Sequence, residues 1–201
     1  MKKSDKTEIT VSKIIEAAVK EFGRNGYSAG TINNICKTGI NKGLIYHNFS
    51  GKDELYLTCL NLSCKKLMQN IRERDGTTNP ERYLAARMDT FILYPDESHI
   101  FFEAFLNPPP HLTDKINMAL SAFNDLNAHM VNKALDSVTL RNKVEREDAV
   151  SYFHMMQTML NGYFSSPAFC NTSLEEKMVL HEKILPQLLD FMLHGIAKGD
   201  N

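Results

Sequence analysis

The sequence predicts an all-α protein of about nine helices, with a three-helix head that carries a helix-turn-helix and a larger helical bundle behind it. Three observations predict this. Apolar residues recur at i, i+3, i+4 and i+7 through most of the 201 residues. No segment shows the strict alternation of a half-buried strand. Two short amphipathic stretches between Thr31 and Phe49 flank a tight turn at Thr38-Gly39-Ile40, the arrangement that seats a second helix in a DNA major groove.

The elements follow in order. Val11, Ile14, Ile15, Ala18 and Phe22 mark the inner face of a first helix that Gly23 and Gly26 are expected to stop. Thr31 is a natural N-cap for the next, with Ile32 and Ile35 facing inward. Asn41 caps a helix running to Phe49, whose Leu44, Ile45 and Phe49 are expected to face inward. Ser50 and Asp53 form an S-x-x-D capping box for a fourth helix reaching about Arg74. Gly76 to Pro80 is the clearest break, with Pro80 at a helix start. The next helix spans Pro80 to Leu93, and Tyr94-Pro95 ends it. A short aromatic-rich helix covers Ser98 to Leu106 before Asn107-Pro108-Pro109-Pro110, which cannot continue a helix. Long helices then run from Thr113 to Val138, Glu145 to Ser165 and Ser173 to Ala197. Pro186 predicts a kink in the last, because apolar positions from Met178 to Ile196 continue on both sides of it.

Composition bounds the possibilities. Hydrophobic residues make up 43% of the chain, enough for a substantial core. The net charge of −1 hides an asymmetry. Residues 1–75 carry 13 Lys and Arg against 8 Asp and Glu, and residues 76–201 carry 10 against 16. A basic module followed by an acidic one points to a polyanion partner for the first alone. Cys36, Cys59, Cys64 and Cys170 follow no metal-ligand spacing, and Cys36, Cys59 and Cys64, within predicted helices, read as small apolar residues. No metal or cofactor is expected. The polar N-terminus lacks an apolar signal region and no run of about 18 apolar residues occurs, so a soluble cytoplasmic chain is expected, with no membrane partner. Enzyme signatures fail on inspection: Ser63 to Lys66 matches S-x-x-K without its companion motifs, and His181-Glu182 begins H-E-x-x-H but meets Leu185 at the second histidine. No catalytic residues are expected.

Taken together, the residues of the head resemble the tetracycline-repressor family of bacterial transcription regulators. The resemblance rests on Ile14-Ile15-Glu16-Ala17-Ala18, Phe22 and Gly26-Tyr27; on Thr31, Ile32, Ile35, Cys36 and Thr38-Gly39-Ile40; and on Tyr46-His47-Asn48-Phe49-Ser50-Gly51-Lys52-Asp53-Glu54-Leu55. Cys36 and Thr38 stand where the family usually has alanine, and Asn41 where it often has serine. The resemblance implies a homodimeric DNA-binding regulator, a repressor released from a palindromic operator by a small hydrophobic effector. A regulator answering to a protein partner, or an activator, is the alternative. Residues 1–51 would form the DNA-binding domain, residues 52–201 the effector and dimer domain, and the helix over 52–75 would link them.

The chemistry of the groove-facing stretch gives a candidate DNA-binding set of Thr31, Asn41, Lys42, Gly43, Leu44, Tyr46, His47, Asn48 and Lys52. Leu44 counts twice, as an apolar residue expected inward and as part of the contact stretch. Lys42 can donate to guanine or phosphate. Gly43 allows close backbone approach, and Tyr46 and His47 resemble the family's phosphate-contacting pair. Thr31 and Lys52 sit at helix N-termini that favour phosphate. Lys2, Lys3 and Lys6 offer a basic arm or a merely solubilising tail. The last two helices are apolar on more than one face. This predicts a dimer interface of Phe153, Met156, Leu160, Phe164, Leu185, Leu188, Leu189 and Met192. By the resemblance, an effector cavity would be lined by Met88, Phe91, Phe102, Phe105, Met118, Phe123, His154, Met155 and Met159. Any one of these is more often ordinary core.

Overall fold

The computed structural model describes residues 3–195, with side chains from residue 8 onward. Among these residues nine α-helices and two 3-10 turns follow one another: α1 (Lys3–Ala29), α2 (Ile32–Cys36), α3 (Lys42–Asn48), α4 (Lys52–Glu73), α5 (Pro80–Leu93), α6 (Pro95–Leu106), a turn at Pro110–Leu112, α7 (Thr113–Asp136), α8 (Arg146–Ser165), a turn at Pro167–Phe169, and α9 (Leu174–His194). The chain is all-α, as its periodicity predicts. No described helix is long and apolar enough to cross a membrane.

Local chemistry explains most of the boundaries. The Thr31 hydroxyl accepts the Asn34 N–H, the Asn41 side chain accepts the Gly43 N–H, and Ser173 and Glu176 form a reciprocal capping box at α9. α4 ends in a Schellman motif: Gly76 N–H reaches back to the Ile71 carbonyl at 2.7 Å, and Asp75 takes the left-handed position at φ 56°.

Several boundaries differ from the expectation. Gly23 does not stop α1. It lies buried inside the helix, where any Cβ would come within 2.6 Å of the Asp96 backbone on α6. The break falls at Gly26, with φ 69° and ψ 178°, a conformation only glycine takes easily. α6 begins at Pro95 rather than Ser98, because a proline at the first helical position loses no hydrogen bond that the helix would have made. The capping acid for Ser50 is Glu54, whose Oε2 accepts both the backbone N–H and the hydroxyl of Ser50. Asp53 instead accepts the Tyr27 hydroxyl at 2.5 Å. α9 passes through Pro186 as one helix. The continuation to Ile196 and Ala197 lies outside the described residues, as do Lys2 and the side chains of Lys3 and Lys6.

The described chain divides into two compact units. The first comprises residues up to 68 together with 90–121. Its core packs Ile14, Ala18 and Phe22 of α1 with Ile35, Ile45, Phe49, Leu55 and Tyr56, and Phe22 meets Tyr56 edge to face at 5.4 Å. Phe91, Phe101, Phe102 and Phe105 add a contiguous ring cluster. The second comprises 69–89 and the residues from 122 onward. There Val131 and Leu135 of α7 pack with Phe153 and Met156 of α8, flanked by Leu188, Leu189 and Met192 of α9.

Candidate nucleic-acid interface and an interior cavity

α3 is anchored from beneath by two residues. Ile45 is fully buried and Phe49 nearly so, which fixes the opposite face outward. That face carries Lys42, Gly43, Leu44, Tyr46 and His47, all exposed, with Asn48 half-buried at its edge. Leu44 therefore stands outward, contrary to its apolar character. It lies one residue from Ile45, about 100° around the helix, and the helix is too short to bury both. Asn48 donates its amide to the Leu44 carbonyl at 2.8 Å and Lys42 donates to Asn33 Oδ1 at 3.0 Å. The turn before α3 depends on Gly39 at φ 93°, where any other residue is strained.

The N-terminus of α2 is not an open anion site. Glu21 of α1 accepts the Thr31 N–H at 3.0 Å and the Asn34 side-chain amide at 2.8 Å through the same oxygen. A carboxylate thus already satisfies part of that helix start. Thr31 remains exposed. Lys52 at the start of α4 donates to the Ser28 carbonyl at 3.4 Å, with its ammonium 4.3 Å from the centre of the Tyr27 ring.

Behind these helices a carboxylate cluster ties the turn after Gly26 in place. Both Glu103 oxygens accept the Tyr27 N–H, and Glu103 also accepts the Tyr56 hydroxyl at 3.2 Å. Burial raises the Glu103 carboxyl above its ordinary range despite these hydrogen bonds. The Tyr27 phenol is pushed up to about 12 by burial and by its hydrogen bond to Asp53. His111 stands 3.3 Å from Asp53.

The second unit holds a cavity of about 30 Å³. Its walls are Leu84, Met130, Val131, Phe153, Leu185 and Leu189 with Pro80, and its polar lining is Tyr83, Arg87, Asn127 and Gln157. Arg87 is fully buried and pairs with the equally buried Glu182 at 2.6 Å. Tyr83 donates to Asn127, and Glu182 also meets His181 Nδ1 at 3.0 Å. Burial alone would raise the Glu182 carboxyl, but the Arg87 charge and the contacts of His181 outweigh it and hold the group below its usual range. The guanidinium shifts the complementary way, so the pair is ionised.

None of the nine residues expected to line an effector cavity lines this one. Phe91, Phe102, Phe105 and Phe123 are core or half-buried packing, Met88 is half-buried, and Met118, His154, Met155 and Met159 are exposed. The residues expected at a dimer face divide by burial within this chain. Phe153, Met156, Leu160, Phe164 and Leu185 are buried within this chain, and Leu188, Leu189 and Met192 are half-buried. The outward face of α8 is instead Tyr152, Met155, Met159 and Tyr163, each 52–58% exposed, and α9 shows Val179, Leu180 and Phe191. Periodicity alone had no means of finding Arg87, Glu182, Glu21 or Glu103, because charged residues are read as solvent-facing.

Residues 14–59 match the profile of the bacterial regulatory proteins of the tetR family. A transcriptional repressor, AcnR of Corynebacterium diphtheriae, is 30% identical over 105 residues, which are 46% of this chain and 55% of that one. A transcriptional activator, FasR of Mycolicibacterium smegmatis, is 29% identical over 119 residues, 56% of this chain and 54% of that one. The chain thus matches about half the length of each. The solved regulator FadR from Bacillus subtilis, in complex with stearoyl-CoA, superposes with a TM-score of 0.59 at 17% identity, covering 93% of this chain and 100% of that one. At that identity the likeness establishes the fold.

Proposed function

We propose, on the premise that residues 14–59 belong to the tetR family of bacterial regulatory proteins, that this protein is a homodimeric DNA-binding regulator of transcription. The observation that carries the reading is the outward face of α3. Lys42, Gly43, Leu44, Tyr46 and His47 stand exposed on a helix pinned by Ile45 and Phe49, a geometry suited to a major groove. Lys42, Tyr46, His47, Thr31 and Lys52 serve phosphates or base edges, Asn41 caps the helix, and Gly43 and Leu44 approach the groove floor, with Asn48 at its edge. Phosphate contacts set affinity and few side chains here can read bases.

α3 has seven residues and spans about 10 Å, enough for a few base pairs. Selectivity against a genome therefore needs two copies on a palindrome. The exposed apolar stripes of α8 and α9 supply the surface for pairing, since a helix apolar on two faces must bury both. Residues 1–51 act as the DNA-binding part and residues 52–201 as the effector and dimer part. The protein acts as a repressor from which a small apolar effector releases the DNA. That effector binds the conformation unsuited to DNA, and only its differential affinity for the two states shifts the equilibrium.

Fluorescence anisotropy against DNA from immediately upstream of the protein's own gene, with scrambled DNA as control and a salt series, tests the reading. Selective, salt-sensitive binding of two chains per site is expected. Equal affinity for scrambled DNA, with no further loss on Lys42→Ala and Tyr46→Ala substitution, would overturn it.

A further inference from the structure

We infer that the cavity between α5, α7, α8 and α9 is the effector site, and that Arg87 at its polar end receives the neutral carbonyl oxygen of an apolar acyl compound, an ester or thioester rather than a free carboxylate. The inference rests on the regulator reading above and deepens it.

The wall chemistry fixes the apolar part. Leu84, Met130, Val131, Phe153, Leu185 and Leu189 offer only hydrocarbon and thioether surface. Polar groups collect around Arg87, where Tyr83 and Asn127 also reach the cavity. A ligand fitted to this site is a hydrocarbon with one polar end.

Charge balance fixes the kind of polar end. Arg87 and Glu182 are 1% and 2% exposed, and their 2.6 Å contact already neutralises the guanidinium. A ligand carboxylate would leave one net negative charge beside a pair that is itself shielded from water, which is costlier than placing a neutral dipole there. A carbonyl oxygen asks only for a donor, and Arg87 has one held by weak contacts. Its Nη1 lies 3.3 Å from the Tyr83 oxygen and 3.5 Å from Asn127 Oδ1, beyond the usual 2.7–3.2 Å for N–H···O. Tyr83 is committed to Asn127. A carbonyl at ordinary distance from Nη1 would improve on both present contacts without disturbing Glu182.

The volume explains how binding does work. About 30 Å³ is one water's share, whereas ligand pockets hold roughly 300–1,000 Å³. The site is narrow in this state and opens past half-buried residues, so an occupant must spread its walls. The half-buried Leu84, Gln157 and Leu189 form the side that yields, and flexible Met130 adapts to what enters. A ligand that must open the core selects the expanded conformation, which is the differential affinity that release from DNA demands.

The test uses the full chain, followed by circular dichroism melting with methyl octanoate or sodium octanoate at equal concentration. DNA anisotropy is run in parallel. Saturating methyl octanoate is expected to raise the Tm by roughly 3 °C or more, and octanoate to give less than a third of that shift. Leu189→Trp, which fills the cavity from its yielding side, abolishes the ester shift. The paired Arg87→Met/Glu182→Met variant, which leaves no lone buried charge, halves it or more. No shift with the ester, an equal or larger shift with octanoate, or an undiminished shift in both variants would each overturn the inference while DNA binding stood. Loss of DNA selectivity would sink the regulator reading whatever the melts showed.

Discussion

Glu103 of α6 accepts the backbone N–H of Tyr27 with both carboxylate oxygens, at 2.9 and 2.8 Å, just where the chain leaves α1 through Gly26. The same carboxylate leaves no room for a side chain at Gly26, since a Cβ there would fall 2.5 Å from Oε1. One buried acid thus holds the turn that leads into the helix-turn-helix.

Glu103 and Glu182 bend the stability profile in opposite directions. Burial raises Glu103, so its native form holds a proton more tightly than the unfolded chain does. Its contribution is complete below the ordinary value of 4.5 and is lost as pH rises through the folded value. Glu182 is lowered, so its contribution is present above 4.5 and lost as pH falls through its folded value. Urea unfolding from pH 3 to 8 is expected to show Glu103→Gln removing decline on the alkaline side. The Arg87→Met/Glu182→Met pair removes decline on the acid side.

Breaking the buried pair singly is a different matter. Arg87→Met alone abandons Glu182 in the core and is expected to cost about 3–5 kcal/mol, whereas the double substitution is close to neutral. A double variant as unstable as the single one would show that Arg87 contributes by packing against Tyr83 and Phe123 rather than by charge.

Two glycines of the head separate folding from binding. Gly39 stands at φ 93° with open space around it, so Gly39→Ala costs stability through the backbone alone, about 1 kcal/mol. A Cβ at Gly43 meets only Asn41 Oδ1 at 3.1 Å. Its helix propensity gain offsets a weakened cap. Gly43→Ala is expected to shift stability by less than about 0.5 kcal/mol while lowering DNA affinity. Denaturant titration and anisotropy on the same preparations decide this.

Lys42→Ala is expected to leave the melt unchanged, because its side chain is exposed. If Lys42 meets a phosphate, the slope of log affinity against log salt falls by about 1 for each copy in the complex, similarly for every DNA sequence. If it reads guanine, discrimination at one base pair is lost by about 1–3 kcal/mol. An unchanged affinity would remove Lys42 from the interface.

The two faces of α8 give opposite outcomes on substitution. Met159→Glu, outward, is expected to yield monomers by light scattering with helicity intact. Leu160→Ala, buried, is expected to cost about 2–5 kcal/mol of stability. A Met159→Glu protein that stays dimeric would move the pairing surface elsewhere.

That helix also shows where the sequence is legible and where it is not. Caps are local chemistry, so Thr31, Asn41 and Ser173 announce their helices directly, and helix number and type follow from spacing. Orientation is not local. Phe153, Met156, Leu160 and Phe164 have the same spacing as Tyr152, Met155, Met159 and Tyr163, offset by one residue. Which stripe faces inward depends on the neighbours α7 and α9, not on α8. Thus Phe153, Met156, Leu160 and Phe164, expected at a dimer face, are buried within this chain, and Met118, Met155 and Met159, expected at a cavity, are exposed. Buried charge hides for a related reason: the partner that makes Arg87 tolerable inside is Glu182, 95 positions away.

Glu21 leads to a last consequence. It holds the start of α2 by accepting the Thr31 N–H and the Asn34 side-chain amide, beside the proposed DNA-contacting helix. On the proposed function, such a fixed negative charge would weaken every DNA complex alike, whatever the base sequence. A protein so built would leave wrong sites sooner, and its search along DNA would gain in speed what each resting contact loses in strength.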